Sequence, residues 1–142
     1  MSTPENALNA DDVLRMLADY YSAFSTLEVQ SILPYFHEPS MLISSRGVIT
    51  APTSAAVAAA LKPTLESLRA REFGRSELSV EIAKPLNASS TLVTGDAIRY
   101  KRDGQELERV GITYILHKAE SGWKIAAIVL HDAPQSPPQG KS

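Results

Sequence analysis

The sequence contains no cysteine among its 142 residues. This absence excludes a disulfide framework, a thiolate nucleophile and cysteine-ligated zinc. Long apolar runs are also missing, since a run such as residues 125–130 is far too short to cross a bilayer. Residues 1–9 lack the basic and apolar pattern of a signal peptide, and no glycine-rich phosphate-binding motif is present. We therefore expect a cytoplasmic protein without a nucleotide site.

The chain also lacks an excess of either charge, with 14 Lys and Arg against 16 Asp and Glu. This balance argues against binding to nucleic acid or to an anionic membrane. The three histidines are scattered and form no motif of metal ligands, so we expect no metal site. Apolar residues make up 44% of the chain, enough for one folded core. The composition predicts a single domain over residues 10–132, with loosely ordered or disordered tails at 1–9 and 133–142.

The periodicity of the apolar residues changes along the chain. It is helical in the first half, where Asn9 and Thr53 are candidate helix caps and Pro63 should kink or split the third helix. Beyond residue 78 the period is two, which predicts strands that include 92–100, 107–117 and 123–131. We predict an α+β fold in which about three helices cover one face of a curved antiparallel sheet.

Two turns suggest how these strands pair. A two-residue loop at residues 103–104 would place Thr94 opposite Thr113, and a four-residue loop at 119–122 would place Arg109 opposite Asp132. Asp96, Arg109, Thr113 and Asp132 then share one face of the sheet. The opposite face is too apolar for contact with water, so both faces should be buried. We therefore expect a homodimer through the sheet.

The order of these elements, with Gly122-Trp123-Lys124-Ile125 opening the last strand, resembles the SnoaL-like group of the nuclear-transport-factor-2-like superfamily. The resemblance covers about residues 11–132. It implies a cone in which a curved sheet wraps around the helices and encloses a pocket at the open end. It also implies dimers through the convex face of the sheet. The superfamily hosts many unrelated activities, so it indicates the fold better than the function.

Two enzymes with this cone provide further comparison. Ketosteroid isomerase uses a tyrosine on its first helix, which Tyr20 resembles, whereas Ser44 and Thr113 stand where that enzyme has its two carboxylic acids. This comparison places Thr113 and Asp132 on the concave face. Limonene-epoxide hydrolase has an Asp–Arg–Asp chain, which Asp96, Arg109 and Asp132 resemble in residue type. The spacing differs, because Arg109 is followed two residues later by Gly111.

We therefore expect a protein that binds a small, mainly apolar molecule with a few polar groups, without a cofactor, and that forms homodimers through the convex sheet face. Tyr20, Ser44 and Thr113 are the predicted ligand-binding residues. One alternative is a cofactor-free hydrolase, isomerase or cyclase in which Asp132 or Asp96 is the general base and Arg109 assists. Another is a protein–protein interaction module. The sequence leaves open whether the protein is an enzyme.

Overall fold

A computed structural model describes the backbone of residues 3–131 and the side chains of residues 10–131. The helices are α1 (Thr3–Ser25), α2 (Val29–Ile32) and α3 (Ser54–Ala70), with a 3₁₀ turn at Leu33–Tyr35. The strands are β1 (Phe36–Ser44), β2 (Gly47–Ala51), β3 (Phe73–Asn87), β4 (Ser90–Lys101), β5 (Glu106–Ala119) and β6 (Gly122–His131). No helix in this described part is both long and apolar enough to span a membrane. The first helix begins well before the predicted cap at Asn9.

The six strands form one curved, unclosed sheet in the order β2-β1-β6-β5-β4-β3. All neighbouring strands are antiparallel except β1 and β6, which run parallel. The three helices and the sheet confirm the predicted α+β class.

Helix α3 begins at the predicted cap but does not break at the predicted position. The side chain of Thr53 accepts a hydrogen bond from the backbone N–H of Ala56 at 3.2 Å, as a helix cap should. The helix continues through Pro63, so the predicted split does not occur. It ends at Ala70.

The helices cover the sheet face that carries Val93, Ile112, Tyr114 and Ile125, all of them buried. Tyr114 contacts the rings of the α1 tyrosines, which fixes this as the inner face. Because side chains alternate along a strand, residues such as Thr113 point to the opposite, outer face. The face predicted to line the pocket is therefore the one turned away from the helices.

The strand pairing confirms one predicted register and corrects the other. Thr94 lies opposite Thr113, as the loop at 103–104 predicts. Between β5 and β6 the register shifts by one residue near Ala126, so Gly111 lies opposite His131. The predicted pairing of Arg109 with Asp132 was counted from the loop at 119–122 and assumed that β6 contains no bulge. A bulge reverses the faces of all later residues of its strand, and His131 consequently reaches the outer face.

Candidate functional site

Tyr20 lies where the resemblance predicts, on the inner side of α1, but it is surrounded by other rings. Its side chain is only 4% exposed. Ring centroids 5.6–6.2 Å away belong to Tyr21, Phe24, Tyr35, Phe36 and Tyr114. Most of these pairs meet edge to face, a favourable aromatic geometry. This part of the cone is therefore filled with side chains rather than open to a ligand.

Two tyrosine hydroxyls meet inside this aromatic cluster. The Oη atoms of Tyr21 and Tyr114 are 2.7 Å apart, so one hydroxyl donates to the other. Burial raises the pKa of Tyr21 to about 12, although the bond to Tyr114 works in the opposite direction. Burial also raises the pKa of Tyr20, and it raises that of Tyr114 well above its ordinary value. All three phenols are thus held neutral at physiological pH.

A charged group closes one end of the cluster. Arg99 is on the inner face of β4, with its side chain only 14% exposed. Its guanidinium pairs with Oε2 of Glu108, and Arg71 pairs with Oε1 of the same carboxylate, each at 2.5 Å. Arg99 also lies 5.6 Å from the ring centroid of Phe24. The sequence analysis missed this group, although Arg99 falls in phase with the core positions Val93 and Ala97, which was an available signal.

Asp96, Arg109 and Thr113 lie together, but on the outer face of the sheet. The Nη1 atom of Arg109 is 3.6 Å from Oδ2 of Asp96, and Arg109 also pairs with Glu106 at 3.2 Å. The hydrogen bond that Arg109 donates to the carboxylate of Glu106 is the main cause of a raised pKa at Arg109. Oδ1 of Asp96 is buried and has no hydrogen-bond partner within residues 10–131. These residues do not share a cavity with Tyr20, contrary to the sequence prediction.

Thr113 belongs to a short chain of side-chain hydrogen bonds on this outer face. Its hydroxyl lies 2.6 Å from that of Thr94 and 2.9 Å from Nε2 of His131. His131 occupies this place because of the bulge in β6, which the sequence did not reveal. Asp132, the other predicted carboxylate, lies outside the described residues. A catalytic role for Asp96, Arg109 or Asp132 stays a prediction.

Ser44 is the last residue of β1, directly before the turn to β2. Its hydroxyl accepts a hydrogen bond from the backbone N–H of Arg46 at 3.2 Å, and Ser44 itself pairs with Gly47. Serine hydroxyls commonly stabilise turns in this way. The structure thus gives Ser44 a role in the turn and does not bring it to Tyr20.

A second region of the described residues, apart from the aromatic cluster around Tyr20, contains open space. A groove of about 450 Å³ lies between the end of α1, the start of α2 and one face of α3. Its apolar lining consists of Leu27, Val29, Ala58, Ala59 and Leu65. The alanines are the reason for the space, because they leave room where a larger side chain would fill the gap between the helices.

The groove is held in shape at one end by an unusual backbone position. Leu27 has a positive φ of 59°, which residues other than glycine rarely adopt. The Nη2 group of Arg69 donates a hydrogen bond to the carbonyl oxygen of Leu27 at 3.1 Å. This contact ties the turn after α1 to the last turn of α3, so the two walls of the groove are joined.

The comparisons with known proteins agree on the fold. An NTF-2-like protein of unknown function from Shewanella oneidensis is 21% identical, with a TM-score of 0.67, covering 86% of this chain and 98% of its own. A domain of unknown function with a cystatin-like fold from Nostoc punctiforme is 13% identical, with a TM-score of 0.70, covering 93% and 82%. A ketosteroid isomerase-like protein from Erwinia carotovora atroseptica is 12% identical, with a TM-score of 0.61, covering 85% and 93%.

At these identities the solved structures establish the fold alone. A search of curated protein sequences finds no significant match. The sequence profile of the family described as "NTF2-like protein (DUF6841)" matches residues 11–133, which is most of the chain. The order of the helices and strands, the curved sheet and this match lead to one conclusion: the chain belongs to the NTF2-like family DUF6841.

Proposed function

We propose that this protein binds a small, mainly apolar molecule in the groove between α2 and α3. The observation that carries the proposal is the groove itself. Its volume of about 450 Å³ is within the range typical of small-molecule sites, roughly 300–1,000 Å³. The sequence predicted such a ligand for the interior of the cone, but the aromatic cluster around Tyr20 occupies that place.

The rim of the groove supplies the polar groups that would orient the ligand. Glu28, Lys62, Glu66 and Arg69 line its edge. Within residues 10–131, Lys62 enters no ion pair, so its ammonium group is available to a polar group of a ligand. An apolar floor with a few charges at its edge suits a molecule with an apolar body and one or two polar ends.

A thermal-shift screen tests this proposal. The purified protein is screened with medium-chain carboxylic acids, ketones, lactones and epoxides, with decanoate as the reference. A compound that binds only the folded state raises the melting temperature by mass action. Ala58→Phe, which fills the groove, should abolish the shift. Ala18→Phe, an identical change at an exposed position of α1, should leave it intact.

Two results would overturn the proposal. One is a screen in which no compound raises the melting temperature of the wild-type protein. The other is a shift that survives Ala58→Phe unchanged, because the binding site would then lie elsewhere.

The outer sheet face supports a second proposal, a homodimer. Met41, Val48 and Ile82 lie on this face and are 37%, 60% and 49% exposed in the single chain. Within residues 10–131 the buried Oδ1 atom of Asp96 lacks a hydrogen-bond partner, which a donor from a second copy would supply. Exposed apolar residues and an unsatisfied polar atom on the same face are typical of a surface that is covered in the assembly.

Light scattering coupled to size-exclusion chromatography tests the dimer. The wild-type protein should elute at twice the monomer mass. Val129→Lys, on the outer face beside Thr113, should give a folded monomer. Ile49→Lys is the matched control, because Ile49 pairs with Leu42 and so belongs to the other face. A wild-type monomer, or a dimer that Val129→Lys leaves intact, would contradict this assembly.

The finer assignments stay predictions. Membership of the SnoaL-like group depends on the sequence resemblance, and the cytoplasmic location is an expectation from the lack of cysteine. The enzymatic alternative requires a carboxylate beside bound substrate. Asp96 lies away from the groove, on the outer face with Arg109.

A further inference from the structure

Two histidines that are 80 residues apart in the chain meet on the outer side of the sheet. His37 is at the start of β1 and His117 is near the end of β5, and β6 runs between these strands. Their ring centroids are 5.6 Å apart and the ring planes are almost perpendicular, at 83°. Both side chains are only half-buried, so the space between the rings can be reached from solvent.

The hydrogen bonds of these two rings indicate which ring nitrogen is available to bind a metal ion. The Nδ1 atom of His37 is 3.0 Å from the carbonyl oxygen of Pro39. A carbonyl only accepts, so Nδ1 must carry the proton, and the lone pair of the neutral ring is on Nε2. The Nδ1 atom of His117 lies 3.4 Å from the hydroxyl of Ser90, which can donate or accept, and within residues 10–131 the Nε2 atom of His117 makes no hydrogen bond. Metal-binding histidines typically have this outer hydrogen bond, since it fixes the tautomer and the ring direction.

The separation of the rings also suits a shared ion. Two imidazoles that bind one tetrahedral ion through Nε2, with metal–nitrogen distances of about 2.0–2.1 Å, have centroids about 5 Å apart. We propose that His37 and His117 together bind a divalent late transition-metal ion, with Zn²⁺ as the probe, and that water completes its coordination. Imidazole nitrogen is a preferred ligand for Zn²⁺, Ni²⁺ and Cu²⁺.

The surroundings indicate a weak, exchangeable site rather than a structural one. Within residues 10–131 no three histidine or carboxylate side chains are close enough to hold a metal together. Lys124 pairs with His117 across the two strands, and its ammonium group is tied to the carbonyl oxygen of Pro34 at 2.6 Å. This positive charge opposes a cation nearby. Glu38, the carboxylate next to His37 in the chain, is held by the backbone N–H of Ser54, which donates a hydrogen bond to its Oε2 atom.

The third histidine of the chain supplies a matched control. Untagged protein is titrated with Zn²⁺ by calorimetry, and His37→Gln and His117→Gln should each weaken binding at least tenfold. His131→Gln should bind as the wild type does, because His131 lies at the other end of β6, against Thr113. Melting curves of each variant without metal establish that the fold is retained.

A second measurement does not depend on any variant. In proton NMR spectra the ring protons of only three histidines are present, and Zn²⁺ should shift those of His37 and His117 while leaving those of His131 unchanged. The proposal is overturned if Zn²⁺ gives neither heat nor shifts at millimolar concentration. It is also overturned if His131→Gln removes the binding, or if His37→Gln and His117→Gln both retain it. The two rings would then be a purely aromatic contact.

Discussion

The interior of the cone and the groove between its helices differ in the size of the side chains that line them. Inside, the ring of Tyr20 and the five aromatic rings around it occupy the space, and the hydroxyls of Tyr21 and Tyr114 satisfy each other. In the groove, Ala58 and Ala59 leave space open. The fold does not by itself determine where a ligand binds. The side chains determine whether the concave face of the sheet is a pocket or a core.

The largest expected effect is on the stability of the interior. Tyr114→Ala removes a fully buried ring from the aromatic cluster, and such truncations typically cost about 3–5 kcal/mol in the free energy of unfolding. Thr113→Ala, one position away on the outer face, should cost about 1 kcal/mol or less. Urea denaturation of the two variants measures this difference. Equal losses would mean that Tyr114 does not belong to a packed core.

A smaller effect is expected at the charged end of the aromatic cluster. Glu108→Gln takes the carboxylate away from Arg99, whose side chain is largely buried, and should cost about 1–3 kcal/mol. Glu106→Gln removes an exposed partner of Arg109 and should cost about 0–1 kcal/mol. Urea denaturation again gives both values. If Glu106→Gln were the more destabilising change, Glu108 would not be anchoring the interior.

The pH dependence of stability gives a third contrast. The pKa of Tyr21 rises from 10.0 to about 12 on folding because of burial. Its contribution to stability is therefore fully present below pH 10 and is lost as the pH rises toward 12. Denaturation midpoints should fall across this interval. In the Tyr21→Phe variant the denaturation midpoints should fall less steeply with pH. At pH 8 this variant should have a free energy of unfolding about 1 kcal/mol lower than that of the wild type. Parallel curves for the two proteins would contradict the burial of this phenol.

The groove should show the smallest change in stability. Ala58→Phe adds a side chain to open space, so the free energy of unfolding should change by no more than about 0.5 kcal/mol while ligand binding is lost. Thermal denaturation without ligand measures the first quantity and the thermal-shift screen measures the second. A large loss of stability without ligand would show that Ala58 packs in the core and does not line a cavity.

The parts of the fold that depend on local chemistry could be predicted from the sequence. The Thr53 cap and the β4–β5 register follow from a helix cap and a tight turn, and both are confirmed. The bulge near Ala126 has no local signature, so the predicted β5–β6 register was wrong beyond it, where Gly111 pairs with His131. The choice of inner face also failed, because both faces are apolar and only the packing of Tyr114 against α1 decides between them.

The central claim is that an apolar ligand binds between the helices and not inside the cone. Methyl NMR spectra recorded during a titration with decanoate test this most directly. We expect the resonances of Ala58, Ala59, Val29 and Leu65 to shift, while those of Val93, Leu116 and Ile125 in the interior stay unchanged. Shifts confined to the interior methyl groups, or no shifts at all, would contradict the claim.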